Sequence, residues 1–229
     1  MLTSAAPPGL KIIGGAAPAT NIPPLAGLLG HALSGSRCAM RFTFLPLLAV
    51  AIFGVTFVAE KILLRGRKVR TEVNWDRGSL AAFDVSGVLS VPAGIVLGFT
   101  GFGRMRAGAG LVEAAGILLL VAGTAIRWAA VFTLGSYFTV NVTILEGQRV
   151  VRRGLYRFVR HPSYAGLLLR YLGFGLAFAN WLSAALIFLP LCGATLYRIR
   201  VEEAALRERF GEEYLSYARA TKRLIPGVY

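Results

Sequence analysis

Acidic residues are scarce in this 229-residue chain: 11 Asp and Glu stand against 25 Lys and Arg, for a formal net charge of +14. Charge of either sign is thin, at 16% of residues, where a soluble domain carries about 25%. Cysteine and histidine number two each. Cys38, Cys192, His31 and His161 form no cluster in the sequence, which argues against a disulfide framework and predicts no metal. Cys192 falls in an apolar run and reads as a small buried hydrophobe. Glycines do not form a dinucleotide fingerprint, because Gly101-Phe102-Gly103 has neither the third glycine nor a strand-to-helix context and reads as a turn. The positive charge comes without a helix-turn-helix, zinc or RNA-recognition pattern, so nucleic acid is not the expected partner. The first 39 residues, rich in Ala, Pro and Gly, lack the compact basic and apolar regions of a signal peptide. They read as a disordered or weakly structured extension with at most an interfacial helix at 25–33. Met40, directly before the first apolar block, is an alternative start.

What the chain has in abundance is apolar residues, 55% of the total, gathered in blocks. Residues 42–59 hold no charge and reach the lower length limit for a membrane-crossing helix. Further blocks run over 80–102, 111–134, 164–179 and 181–197. The expected fold is an all-α integral membrane protein of about five transmembrane helices. The last two blocks, separated by Asn180 alone, make a tight antiparallel hairpin whose tip lies at one interface. The expected organisation is the 1–39 extension, three helices within 40–134, and a core over 135–229 with a C-terminal helix. If the open end of the hairpin faces the cytosol, 18 of the 25 lysines and arginines lie in cytosolic segments and 5 on the other side. That imbalance places the C-terminus and any site beside it in the cytosol. Excess cationic residues in the connections also suit anionic membrane lipids.

The polar segment 146–163 and the tail 198–229 therefore become neighbours. Pro162 suits the first turn of a helix. An N-terminus there, with its unpaired N–H groups, is matched to an anion. Composition alone also allows an interfacial belt of Arg, His and Tyr. Leu206, Phe210, Tyr214 and Tyr217 recur at helical spacing and give one apolar face, expected to pack on the base of the hairpin or lie in the interface. Glu202 and Glu203 alone read as a solvated face rather than a binding pair. Asp84, Glu113, Arg127 and Arg170 stand in or near the apolar blocks, where ionisable groups are costly and point to function. Arg127 is within reach of the interface by snorkelling. Arg170 is expected to face a substrate cavity or to pair with a carboxylate such as Asp84.

Taken in order, Arg160-His161-Pro162-Ser163-Tyr164-Ala165-Gly166, two apolar spans, Glu202-Glu203, and Phe210-Gly211-Glu212-Glu213-Tyr214 with Tyr217 resemble the isoprenylcysteine carboxyl methyltransferase family. The related phospholipid N-methyltransferases share much of the pattern, and Gly154-Leu155-Tyr156 fits it as well. The resemblance implies S-adenosylmethionine as cofactor, with Tyr156, His161, Pro162, Tyr164, Gly166, Glu202 and Glu203 at the matching binding positions. It implies catalytic roles for Arg160 and one of Glu202 or Glu203, and Arg170 is the candidate substrate contact. A carboxylate acceptor needs no general base, only alignment and loss of its water shell. An amine acceptor needs a base to take its proton. The expected function is carboxyl O-methylation of an isoprenylcysteine-like lipophilic acceptor entering from the bilayer. The alternatives are methylation of a phospholipid or small amphiphile at nitrogen or sulfur, and a non-enzymatic membrane scaffold or transporter.

Overall fold

The computed structural model describes residues 44–65, 71–145 and 147–228. The 1–39 extension, with His31, Cys38 and the helix expected at 25–33, lies outside the described residues, as does Met40. Each apolar block forms a helix, because a chain surrounded by lipid must satisfy its backbone groups internally. Helix α1 spans Phe44–Arg65, α2 Ser79–Gly98, α3 Ala109–Leu134, α4 Pro162–Leu176 and α5 Trp181–Ala220. Four of them, α1, α2, α3 and α5, are long and apolar enough to cross a membrane. The expected fourth span is a helix of 15 residues. At 1.5 Å per residue it covers about 22 Å, short of a hydrocarbon core of about 30 Å. It is largely enclosed by protein, with Leu167, Arg170, Tyr171 and Phe174 buried.

The described residues are not wholly helical. Strands β1, Thr71–Asn74, and β2, Thr143–Leu145, pair antiparallel with an irregularity between Thr71 and Val73. These stretches are too short to carry a readable alternation, and it is the bundle that brings them together. Their pairing ties the α1–α2 connection to the α3–α4 connection on one side of the bundle.

The opposite side is closed by Asn180. Its side-chain oxygen accepts hydrogen bonds from Leu182 N and Ser183 N, capping α5. Its amide nitrogen donates to Leu97 O at 3.1 Å and Phe102 O at 2.7 Å. The tip of the α4–α5 hairpin is thus fastened to the α2–α3 turn, and the connections alternate sides as the block pattern requires.

The tightest contact in the bundle is the seam between α3 and α4. Gly116 and Gly123 on α3 face Gly173 and Gly166 on α4. A Cβ at Gly116, Gly123, Gly166 or Gly173 would come within 2.6 Å of the facing backbone. Small residues here let backbone meet backbone, which gives helices in lipid their packing energy. Phe53 of α1 stacks on Phe174 of α4 at 4.2 Å, fixing α1 to this pair.

Helix α5 is 40 residues, roughly 60 Å, so its second half continues well beyond its apolar part. It bends at Gly211, where φ is +49°, a conformation favouring glycine. Cys192, expected to be buried, is half-buried on α5.

Candidate functional site

The open end of the hairpin brings the polar segment before α4 against the second half of α5. The Tyr217 hydroxyl donates to Tyr156 O at 2.6 Å. Backbone N–H groups of Arg160 and His161 donate to Lys222 O at 2.7 Å and Arg223 O at 2.9 Å. The segment that opens α4 and the segment that follows α5 are therefore laced together through their main chains. Helix α4 begins at Pro162 as expected, with Tyr164 N and Ala165 N donating to His161 O.

Glu203 is the hub. Arg160 Nε reaches its Oε1 at 3.1 Å, Arg223 Nη2 its Oε2 at 2.9 Å and Arg207 Nη2 its Oε2 at 3.2 Å. His161 Nε2 stands 3.4 Å from Oε1 without a well-directed hydrogen bond. Glu202 is half-exposed, with His161 Nδ1 4.0 Å away. Arg160 also donates to Ala218 O at 2.6 Å and to Thr221 O, carbonyls left open at the end of α5. Its guanidinium therefore holds Glu203 and the end of α5 in one grip.

A second polar bridge lies nearby. Arg198 donates to the Tyr164 hydroxyl at 2.9 Å, to Asp76 Oδ1 at 3.0 Å and to Val140 O. Burial pushes the Asp76 carboxyl upward, but the Leu80 N–H, the Ser79 hydroxyl and the Arg198 charge outweigh it and hold the carboxyl below the usual range. Burial, reinforced by the charge of Glu202, pushes the Tyr156 phenol above its ordinary range, so it stays neutral.

These groups stand at one end of a cavity of about 550 Å³. Its polar end is lined by Tyr156, Arg160, Tyr164, Glu202, Tyr214 and Tyr217. From there it continues between α1 and α2, past Phe53, Phe57, Phe83, Val88 and Pro92. Val88 is 72% exposed and Phe57 40%, so the apolar end opens on the lipid-facing surface. Leu206, Phe210, Tyr214 and Tyr217 line the cavity rather than only packing on the hairpin.

The cavity sorts the expected residues. Tyr156, Arg160, Tyr164, Arg170 and Glu202 line it; His161, Pro162, Gly166 and Glu203 do not. Gly166, expected to touch a cofactor, packs on α3, where its Cβ would meet Arg127 N at 2.6 Å. Arg170 lines the cavity and pairs with a carboxylate, which is Glu60 at 2.8 Å and not Asp84. Arg127 does not snorkel; it is buried and bonded to the same Glu60 at 2.5 Å.

Sequence reasoning missed Glu60, Asp76, Arg198 and residues 218–223. Glu60 stands just past the charge-free block 42–59, yet α1 runs on through Glu60-Lys61-Ile62-Leu63-Leu64-Arg65. The renewed apolar run at 62–64 was the signal that the helix continues.

Residues 116–208 match the model of the isoprenylcysteine carboxyl methyltransferase family. The chain is 34% identical over 115 residues to protein-S-isoprenylcysteine O-methyltransferase A of Arabidopsis thaliana, covering 49% of this chain and 58% of that protein. It is 38% identical over 104 residues to the Saccharomyces cerevisiae protein-S-isoprenylcysteine O-methyltransferase, covering 44% of each. Against the human protein of that name it is 33% identical over 122 residues, covering 48% of this chain and 40% of that one. The aligned stretches thus span about two-fifths to three-fifths of these relatives. A solved structure of the eukaryotic intramembrane Ras methyltransferase, isoprenylcysteine carboxyl methyltransferase, aligns with a TM-score of 0.46 and 23% identity, over 66% of this chain and 50% of that one. The matched stretch, 116–208, contains most of α3, all of α4, the hairpin tip and the Glu202–Glu203 pair.

Proposed function

We propose that this chain is an S-adenosylmethionine-dependent membrane methyltransferase that O-methylates the carboxyl group of an isoprenylcysteine-like lipophilic acceptor. The observation that carries the reading is the cavity, which joins a polar end built from the family's motif residues to an apolar end open to lipid. One space thereby serves a water-soluble donor and a lipid-soluble acceptor.

The residues at the polar end fit the cofactor. Tyr214 lines the cavity with a buried hydroxyl that has no hydrogen-bond partner. Such an orphaned polar atom is costly unless a ligand satisfies it. Glu202, half-exposed on the cavity wall, suits ribose hydroxyls or an amino group. When bound, S-adenosylmethionine supplies an electrophilic methyl group. Glu203 and Arg160 shape this end by holding α4, α5 and the residues after α5 together. Arg160 acts here as a positioning residue. Tyr156 and Tyr164 wall the end, and Arg170 faces the acceptor further in. The apolar end between α1 and α2 takes the lipid chain and strips water from the acceptor's carboxylate, which raises its reactivity.

The cavity wall carries six cationic side chains, Lys61, Arg127, Arg149, Arg160, Arg170 and Arg198, and three carboxylates, Glu60, Asp84 and Glu202. This balance favours an anionic acceptor over an ammonium. The positive-residue imbalance of the connections supports a cytosolic polar end and C-terminus.

Transfer of tritiated methyl from S-adenosylmethionine into a panel of prenylcysteines, phospholipids and thiols tests the reading. The expected product is a base-labile ester on a prenylcysteine. Arg160→Ala is expected to lower transfer by about 100-fold and to weaken S-adenosylhomocysteine binding, with partial recovery in Arg160→Lys. A base-stable methylated amine as the sole product would move the reading to the amine methyltransferases. Absence of S-adenosylhomocysteine binding would remove it.

A further inference from the structure

One charged cluster in the cavity wall has no part in the polar end. Glu60 of α1 accepts from Arg127 Nε at 2.7 Å and Arg127 Nη2 at 2.5 Å, and from Arg170 Nη1 at 2.8 Å. All three residues line the cavity, and Arg170 is 2% exposed. Two guanidinium groups share one carboxylate, which leaves one net positive charge on the cluster. Aromatic faces flank the cations: the Arg170 guanidinium lies 5.6 Å from the Phe53 ring and 5.4 Å from Tyr171, and that of Arg127 lies 5.9 Å from Phe138.

The cluster is not self-sufficient. Arg170 Nε is buried without a hydrogen-bond partner, and Arg127 Nη1 has only a long contact, 3.4 Å, to Ser163 O. A buried cation without full compensation is expensive and is retained where it meets a partner. Guanidinium groups match the planar or tetrahedral oxygens of carboxylate and phosphate through paired N–H donors.

We propose that Arg127 and Arg170 form an anion-binding subsite inside the cavity, held in place by Glu60 as internal counter-ion, for a carboxylate or phosphate on the amphiphile that the cavity takes. The inference rests on the reading of the cavity as an acceptor site, and it makes Arg127, Arg170 and Glu60 determinants of acceptor class. An anion shares the guanidinium donors with Glu60; an ammonium head is repelled.

The test uses the full chain in detergent micelles, with four probes: dodecyl phosphate, N-acetyl-S-farnesylcysteine, dodecanol and dodecyltrimethylammonium. Binding is read from melting temperature and apparent Kd, and S-adenosylhomocysteine binding is measured alongside. Either anionic probe is expected to bind roughly tenfold or more tightly than dodecanol, with dodecyltrimethylammonium weakest. Arg170→Gln and Arg127→Gln are expected to erase that preference, and Arg170→Lys to retain part of it. Glu60→Gln, close in volume, is expected to tighten anion binding several-fold by releasing donors. A purely structural cluster would instead lose stability in Glu60→Gln with no gain for anions, and that result would overturn the proposal. Equal affinity of wild type for anionic probes and dodecanol would overturn it too, while intact S-adenosylhomocysteine binding left the methyltransferase reading standing. Loss of the latter with anion preference kept would do the reverse. Preference for farnesylcysteine over dodecyl phosphate assigns the anion to a prenylcysteine carboxylate; the opposite order assigns it to a lipid phosphate.

Discussion

Helices α3 and α4 meet backbone to backbone, whereas α1 and α2 make no substantial contact with each other and leave the cavity between them. Both pairs are apolar and similar in composition, so hydrophobicity does not separate them. The difference lies in residue size at the facing positions. Gly116, Gly123, Gly166 and Gly173 let the first pair close completely, while Phe53, Phe57, Phe83 and Val88 line the second and keep it apart. In lipid, where apolar surface gains little by leaving the solvent, close packing decides which helices join. One half of the bundle is a rigid frame and the other an entrance.

The sharpest way to break this contrast is at the charged hub that closes the frame. Glu203→Ala leaves Arg160 and His161 buried beside a lost carboxylate and is expected to cost about 3–5 kcal/mol. A lowered midpoint in thermal unfolding, with loss of methyl transfer, would show it. The seam comes next. Gly166→Val places atoms against the backbone of Arg127 and Gly123 and is expected to destabilise by about 3 kcal/mol, at the upper end for overpacking. The entrance should respond in the opposite way. Val88→Phe, at an exposed cavity-lining position, is expected to leave the melting temperature nearly unchanged, within about 0.5 kcal/mol, and to raise KM for long-chain acceptors more than for short ones. A large loss of stability there would show that the entrance is part of the frame.

The smallest effect concerns pH. The Asp76 carboxyl is held below its usual range in the folded protein, so its contribution is present above the unfolded value of about 3.9 and is lost as pH falls through the folded value. Asp76→Asn should therefore lower the melting temperature at neutral pH, and the gap from wild type should shrink as acid protonates Asp76. A gap constant from pH 7 to pH 3 would mean that the carboxylate charge contributes nothing.

The sequence showed the site more clearly than it showed the cavity. Arg160, Glu202, Glu203, Tyr156 and Tyr164 were legible because they stand in short ordered motifs around two apolar runs. Gly166 belongs to the same motif yet serves the seam, since a motif records that a small residue is needed and not which surface approaches it. Glu60 was hidden because a helix end is a poor boundary in hydropathy, and its partners lie 67 and 110 residues away along the chain. The strands β1 and β2 were hidden because three or four residues carry no period.

By itself the sequence determined the apolar helices, the tight turn at Asn180 and the approach of the Arg160 segment to the Glu202–Glu203 pair. All three follow from local rules: length of apolar runs, capping chemistry, and the short connection that forces a hairpin. Only the tertiary structure decided which helices close on each other, that Arg127 and Arg170 share Glu60, and that the polar end and the lipid-facing gap form one cavity. Those outcomes depend on side-chain volume and charge meeting across distant segments, which no one-dimensional pattern records.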